Sequence, residues 1–374
     1  AGGRAGAGGG AVSEPRIGSL CSGYGGLDQG VQAVFGGSTV WVSDIDKGAC
    51  KILEHRYPGA PNLGDFTTID WATVEPVDIM TAGFPCQPVS GAGKGLGDQD
   101  ERWLWDEVHR AIREVRPGVV VLENVRGLVS KFGGRLFARV LGSLADIGYD
   151  ASWHGLKASD VGAPHGRWRI FIVATDAERG GRDGWSREAR RGEVGRAAAN
   201  RHPQGPLLPT PKCSDGDKGL RTAAGARREV ERKGPGGADL SSVLALLPTP
   251  AVNDMGEGKT IEWWDDWTAA QKAKHNNGNG HGKSLAIELQ RVDGGWGPYS
   301  AAVERWEQIT GHEAPPPNEK ARVREWMMGL EPGWVTDVLD LSEKEKVKAL
   351  GNGVVPQQCA AALVEMLSWQ AVAA

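Results

Sequence analysis

Apolar positions from Arg16 onward fall into two kinds of pattern. Short apolar runs predict strands at Ile17–Ser22, Val40–Ser43, Val77–Thr81, Val119–Leu122 and Ile170–Ala174. Between them, apolar residues spaced three and four apart predict helices at Leu27–Phe35, Lys47–Tyr57, Trp103–Val115 and Leu136–Ile147. Strands alternating with helices imply βαβ units, hence an α/β fold with a mostly parallel sheet covered on both faces. This pattern stops near Thr175. Residues 176 to about 320 are rich in Gly, Arg, Pro and Asn and hold few strongly periodic segments, so a smaller, irregular second unit is expected there. Within it LLPTP occurs at Leu207–Pro211 and again at Leu246–Pro250, with Asp215 and Asp254 at matching offsets. Two copies do not make a solenoid, and they read as two similar loops or strand entries. Order returns from Arg322, and Gln357–Val372 reads as a C-terminal helix. The expected division is a disordered tail over 1–14, a first domain over 15–175, a second over 176–325, and a segment 326–374 that returns to the first.

Composition narrows the picture. Gly (55) and Pro (21) make up about a fifth of the 374 residues, against about 12% in average usage; part of this surplus is the low-complexity start AGGRAGAGGG. There is no run of 18 apolar residues, so no membrane span is expected, and no basic-then-apolar leader marks the chain for export. Five Cys without a CxxC pair argue against a disulfide scaffold and against a structural zinc site, so no metal is expected and a reducing cytoplasm fits. The net charge of −4 argues, as an average, against a nucleic-acid partner. The average conceals a division, because residues 176–234 carry a net +5 and the rest of the chain −9.

Four places carry candidate chemistry. The turn Ser22-Gly23-Tyr24-Gly25-Gly26 lies between the first strand and first helix, where glycine lets the backbone approach a ligand. Asp44, 21 residues after Gly23, follows the second strand, where a carboxylate accepts from ribose hydroxyls. The pattern GxGxxG fails at its last position, Asp28, so an adenosine ligand without a pyrophosphate, S-adenosylmethionine, fits better than a dinucleotide. Gly83-Phe84-Pro85-Cys86-Gln87-Pro88 puts a thiol on a loop stiffened by two prolines at the end of a strand, a plausible nucleophile. Glu123-Asn124-Val125 ends a fully apolar run, and a carboxylate there should be paired or belong to a site. In His165-Gly166-Arg167-Trp168-Arg169 the two arginines alternate by two, so an extended chain aims both to one face. Taken singly, these could be an ordinary βα turn, a small buried thiol, a capped strand end and a solvated edge.

In this order the four resemble the cytosine-C5 DNA methyltransferase family of bacteria and phages. Its PCQ, ENV and QxRxR motifs are matched by Pro85-Cys86-Gln87, by Glu123-Asn124-Val125 and by His165 to Arg169. Gly64-Asp65-Phe66, Arg324-Glu325 with Gly329, and Gly351-Asn352-Gly353-Val354 (the family's GNxV) extend the likeness to about 230 residues. The resemblance implies a Rossmann-like S-adenosylmethionine-dependent methyltransferase domain and a target-recognition domain over 176–325, where the positive charge would meet DNA phosphates. It implies Cys86, Glu123, Arg167 and Arg169 as catalytic residues. It implies Cys21, Gly23, Tyr24, Gly25, Gly26, Asp44, Ile45, Asp65, Phe66, Pro85, Leu104, Asn352, Gly353 and Val354 around the cofactor, and Gln87, Ser90, Asn124 and His165 at the substrate. Cys86 would add to C6 of a cytosine flipped out of double-stranded DNA. Glu123 would serve N3 and the exocyclic amine, Arg169 would hold O2, and Arg167 would support the loop. The glycines between Ser90 and Gly97 suit a loop that closes on DNA. His165 departs from the family's Gln, and Cys21 from its frequent Phe. A monomer without membrane contact is expected, with a cognate restriction endonuclease, where one exists, acting separately. Three other readings stay open: a tRNA cytosine methyltransferase, although that group's Cys-Phe-Thr tripeptide is absent; an inactive DNA-binding homologue; and a nicotinamide dehydrogenase.

Overall fold

The computed structural model describes residues 14–85, 103–178, 246–275, 283–292 and 295–372. The N-terminal glycine tract, Cys86, Gln87, Ser90, the glycines up to Gly97 and the first LLPTP copy with Asp215 lie outside them. Six strands, β1 (Arg16–Leu20), β2 (Ser38–Ser43), β3 (Ile79–Ala82), β4 (Val119–Val125), β5 (Tyr149–Lys157) and β6 (Trp168–Asp176), form one sheet in the order β2-β1-β3-β4-β6-β5. Neighbours from β2 to β4 pair parallel, while β6 runs antiparallel to both β4 and β5. The first-half helices are α1 (Gly26–Phe35), α2 (Lys47–Arg56), α3 (Trp105–Val115), the single turn α4 (Gly127–Ser130) and α5 (Arg135–Asp146).

The pleat sorts the apolar runs to the two faces. Val120, Leu122, Ile170 and Ile172 pack with α3 and α5 residues such as Val108, Ile112, Leu136 and Val140. Val119, Val121, Phe171 and Val173 pack on the other face with Val31 and Val34 of α1. Each fully buried aliphatic side chain of this kind contributes about 1.5–3 kcal/mol relative to exposure. The second face is completed by α11 (Pro356–Val372), whose Cys359, Leu363 and Met366 join the same cluster. The two helices meet closely at Gly30, where a Cβ would lie 2.5 Å from Cys359 Cβ.

Expected and observed elements agree within a few residues for β1–β4, β6, α1–α3, α5 and α11. Two regions differ. Tyr149–Lys157 is a strand that no apolar run marks, because this sheet edge buries only its ends and leaves polar residues between. The stretch before residue 320 was expected to be irregular, yet its described part contains α6 (Ile261–His275), α7 (Leu285–Arg291) and α8 (Ser300–Thr310), followed by α9 (Lys320–Met327) and α10 (Glu343–Asn352). Leu285, Leu289, Val303, Trp306, Val323 and Leu350 from these helices form a third cluster, which also takes in Tyr24 and Ile52. The second LLPTP copy enters as a single parallel bridge between Leu247 and His165, with Leu247 N donating to Pro164 O at 2.8 Å.

Candidate active site

The strand order reverses between β1 and β3, and in open α/β sheets that crevice, at the carboxyl ends of the strands, is where ligands sit. Because β6 is antiparallel, its N-terminal end with Arg167 and Arg169 meets the carboxyl ends of β1, β3 and β4 at this edge. After β1, Cys21 takes a left-handed backbone (φ +51°) that non-glycine residues rarely adopt. Its thiol pKa is pushed up, first by burial and then by Asp44 and Asp65. Gly23 (φ +59°) and Gly25 (φ +81°) complete the turn, and Gly25 caps α1. Gly23 N donates to Asp44 Oδ2 at 2.9 Å, and Asp46 N donates to Oδ1 at 2.8 Å. A Cβ on Gly23 would meet nothing within 4 Å, so the turn faces open space. Beside Asp44, Ile45 is 72% exposed, unusual for a large aliphatic side chain at the end of a strand. Asp65 accepts from Thr67 N and Oγ1, Phe66 is buried, and Pro85 and Leu104 are half-buried.

At the end of β4, Glu123 is buried and forms an ion pair with Arg169, Nε to Oε1 2.5 Å. Burial raises its carboxyl pKa, and Arg169 and Arg167 pull it back. Glu123 Oε2 would lie 3.7 Å from a Cβ built on Gly83, as would Cys21 O, so the ends of β1, β3 and β4 converge there. Asn124 Nδ2 donates to Phe84 O at 3.2 Å and so fixes the stretch that runs through Pro85 into Cys86. Arg167 is buried and directs its guanidinium at backbone carbonyls: Gly353 (2.7 Å), Gly351 (3.0 Å) and, more weakly, Pro250 (3.4 Å). Burial beside Arg169 lowers its pKa to about 9, so it stays charged at neutral pH.

The structure therefore brings Glu123, Arg169, Asn124, Pro85, Cys21 and the glycine turn to one edge, with Asn352, Gly353 and Val354 bound to it through Arg167 and Tyr24. His165 lies apart from any open surface. It is wholly buried; its Nε2 is 3.0 Å from Met327 O, and burial together with Arg167 lowers its pKa to about 3. The neutral ring donates to that carbonyl and holds α9 against the start of β6. Asp28, noticed in the sequence only as the position that breaks GxGxxG, is a buried carboxyl that accepts from Ser19 Oγ (2.8 Å) and Thr81 Oγ1 (2.6 Å). It ties α1 to β1 and β3. The visible signal was a hydroxyl residue in each of two otherwise apolar strands. Glu325 likewise accepts from Gly333 N, Val335 N, Thr336 N and Thr336 Oγ1 at 2.6–2.9 Å, fixing the turn after α9.

This sheet order, with one antiparallel strand and a glycine turn after β1, is a methyltransferase-type α/β fold. It aligns with the solved structures of the Entamoeba histolytica methyltransferase EhMeth (TM-score 0.53, 13% identity, 96% of this chain and 99% of that one) and of S. pombe Dnmt2 (TM-score 0.53, 14% identity, 95% and 99%). Residues 16–201, just under half of the chain, match the family described as C-5 cytosine-specific DNA methylase, and this part of the chain belongs to that family. Two relatives are the Type II methyltransferases M1.ScrFI of Lactococcus lactis subsp. cremoris, 39% identical over 158 residues (42% of this chain, 40% of that protein), and M.NgoBI of Neisseria gonorrhoeae, 39% identical over 155 residues (41% and 48%). The matched region spans less than half the length of either relative.

Proposed function

We propose that this chain is a DNA (cytosine-5) methyltransferase, transferring a methyl group from S-adenosylmethionine to C5 of a cytosine swung out of duplex DNA. The observation that carries the reading is the buried Glu123–Arg169 pair at the strand ends where Asn124 holds the stretch leading into Cys86. The cofactor fits the residues present. Gly23 and Gly64, both left-handed and with no atom within 4 Å of a built Cβ, leave room beside β1 and β2. Asp44 keeps lone pairs for ribose hydroxyls beyond its two backbone bonds, and Ile45 offers an apolar face to a purine. Asp65, Phe66, Leu104 and the turn Asn352–Val354 would complete the enclosure. When bound, the cofactor supplies an electrophilic methyl group on a sulfonium.

The chain's own residues prepare the base. The Cys86 thiolate adds to C6, and the ring electrons move toward C5, which becomes enamine-like. Glu123, whose carboxyl pKa is raised by burial, would serve N3 as proton donor as the ring gains electron density. Arg169 neutralises charge at O2 while holding Glu123 in place. Once C5 carries the new methyl group, loss of its proton to water restores the C5–C6 double bond, breaks the C6–S bond to release the Cys86 thiolate, and the N3 proton returns to Glu123. The expected division of the chain is retained in this reading: catalysis by 15–175 with 326–374, recognition of the DNA sequence by 176–325. The packing of α11 on α1 and β5 supports the return of the C-terminal segment. The protein would act as a monomer in the cytoplasm, and a restriction endonuclease sharing its target would act separately. Among the described residues no helix is long and apolar enough to cross a membrane.

Incubation of the full chain with tritiated S-adenosylmethionine and DNA, with bisulfite sequencing of host DNA, tests the reading. Label in cytosine C5 at a defined sequence is expected, and Cys86→Ala abolishes it. Label in tRNA but not DNA would move the substrate class to RNA, and label surviving in Cys86→Ala would remove the thiol from the mechanism.

A further inference from the structure

The segment Gly351–Val354 reaches the sheet edge late in the chain, and two side chains from separate elements bind its carbonyls. Arg167 donates to Gly351 O and Gly353 O at 3.0 and 2.7 Å. Tyr24 is wholly buried, and its hydroxyl donates to Val354 O at 2.7 Å. The Tyr24 ring lies flush against Gly353, where a Cβ would sit 1.8 Å from Cε1 and 2.6 Å from the hydroxyl oxygen. Gly353 has an ordinary φ of −72°, so close approach of the ring, not backbone conformation, requires glycine there. Gly26 shows the same constraint, since its Cβ would lie 2.2 Å from Val354 O. Tyr24 is itself held: Trp334 Nε1 donates to its carbonyl at 2.9 Å, and Arg56 Nε donates to Trp334 O at 2.7 Å while its guanidinium covers the indole at 5.0 Å.

We propose that Tyr24 is a positioning residue, not a cofactor contact, and that Tyr24 and Arg167 form a joint grip on Gly351–Val354 that sets cofactor affinity and not the rate of chemistry. The inference rests on the methyltransferase reading for what the segment encloses. The grip works because three carbonyls of one short segment are taken by two side chains whose own positions are fixed elsewhere. Arg167 lies two residues from Arg169 on the strand that serves the base, and Tyr24 lies between the glycines of the cofactor turn. Closure of the C-terminal segment thus depends on both halves of the site. Removing one donor leaves a buried carbonyl unpaired, which opposes the closed segment by about tenfold.

Two variants attack the same contact by different chemistry. Tyr24→Phe removes the hydroxyl and keeps the ring; Gly353→Ala displaces the ring and keeps the hydroxyl. Each is expected to raise the S-adenosylmethionine dissociation constant and cofactor KM of the full chain about tenfold, with kcat changed less than about twofold. The double variant is expected to match the weaker-binding single variant, not the product of the two, because one contact is broken twice. Cofactor affinity within twofold of wild type in Tyr24→Phe, a loss confined to kcat, or effects that multiply would overturn the grip. A wild-type chain that binds no S-adenosylmethionine would instead sink the methyltransferase reading. The grip is then judged by amide hydrogen exchange over Gly351–Val355, which Tyr24→Phe must accelerate, and unchanged protection there would overturn it. The same exchange measurement decides if the double variant does not fold.

Discussion

Replacing Asp28 by Asn should stabilise the protein at neutral pH and leave it unchanged in acid. Burial pushes the Asp28 carboxyl from 3.8 up to about 6, despite the hydroxyl bonds from Thr81 and Ser19 that oppose the shift. An acid whose pKa is higher in the folded state than in the unfolded chain is bound to its proton more tightly when folded. Stability therefore declines as pH rises from about 4 to about 6, then levels off. With 1.36 kcal/mol per unit, the ionised carboxylate costs about 3 kcal/mol at pH 7. Asn carries no charge, and its amide can accept from one hydroxyl and donate to the other, so most of that cost should be recovered. Urea denaturation of both proteins at several pH values between 3.5 and 7.5 reads the difference directly, and other titrating groups cancel in the comparison. The expected curve starts near zero, climbs through about pH 4 to 6 and reaches about 2–3 kcal/mol in favour of the variant. A difference that is flat with pH, or one that favours the wild type more as pH rises, would refute the claim that burial dominates at this carboxyl.

Glu123→Gln should slow methyl transfer by about 10²–10⁴-fold and abolish the alkaline limb of the rate profile that follows ionisation of a carboxyl raised by burial; a wild-type rate in a single-turnover assay would remove Glu123 as proton donor. Arg169→Ala leaves a buried carboxylate without its partner, so a loss of about 3 kcal/mol is expected in urea titrations at pH 7, and an undiminished midpoint would show that the pair is not buried in solution. His165 stays neutral above about pH 4, so His165→Gln should leave the pH profile of methyl transfer unchanged between pH 5 and 8. His165→Ala, which unpairs Met327 O, should cost about 1–3 kcal/mol; equal stability of the Ala and Gln variants would deny that hydrogen bond any weight.

The strands that carry the site were legible because they are buried on both faces, which forces continuous apolar runs such as Val119–Leu122. β5 was not, since an edge strand can leave Asp150, Ser152 and His154 among its apolar positions. α6 hid for a different reason. Its aromatic residues Trp263, Trp264 and Trp267 crowd around Asp265 and Asp266, and no stripe at helical spacing results. α7 is seven residues long, and its start is fixed from outside: the Ser284 hydroxyl and Ala286 N both donate to Asp254, about thirty residues earlier. Glu123 could be singled out because a carboxylate ending an apolar strand is anomalous on its own. The part played by Tyr24 could not, because its partner Val354 is 330 residues away in sequence. No local pattern records such a contact.

The antiparallel course of β6 also decides where the chain leaves the sheet and where it comes back. Asp176 N donates to Gly118 O and Ala177 N to Gly148 O, so the chain departs at the edge opposite the site. It returns at Leu247, whose N donates to Pro164 O beside the site. Two fixed posts thus bracket the connection between Ala177 and Leu247, and all six strands of the described sheet precede it in the chain. Doubling the length of such a connection costs only about 0.6 kcal/mol in closure entropy. A lineage could therefore resize that connection while the edge that carries Glu123, Arg169 and the glycine turn keeps its geometry.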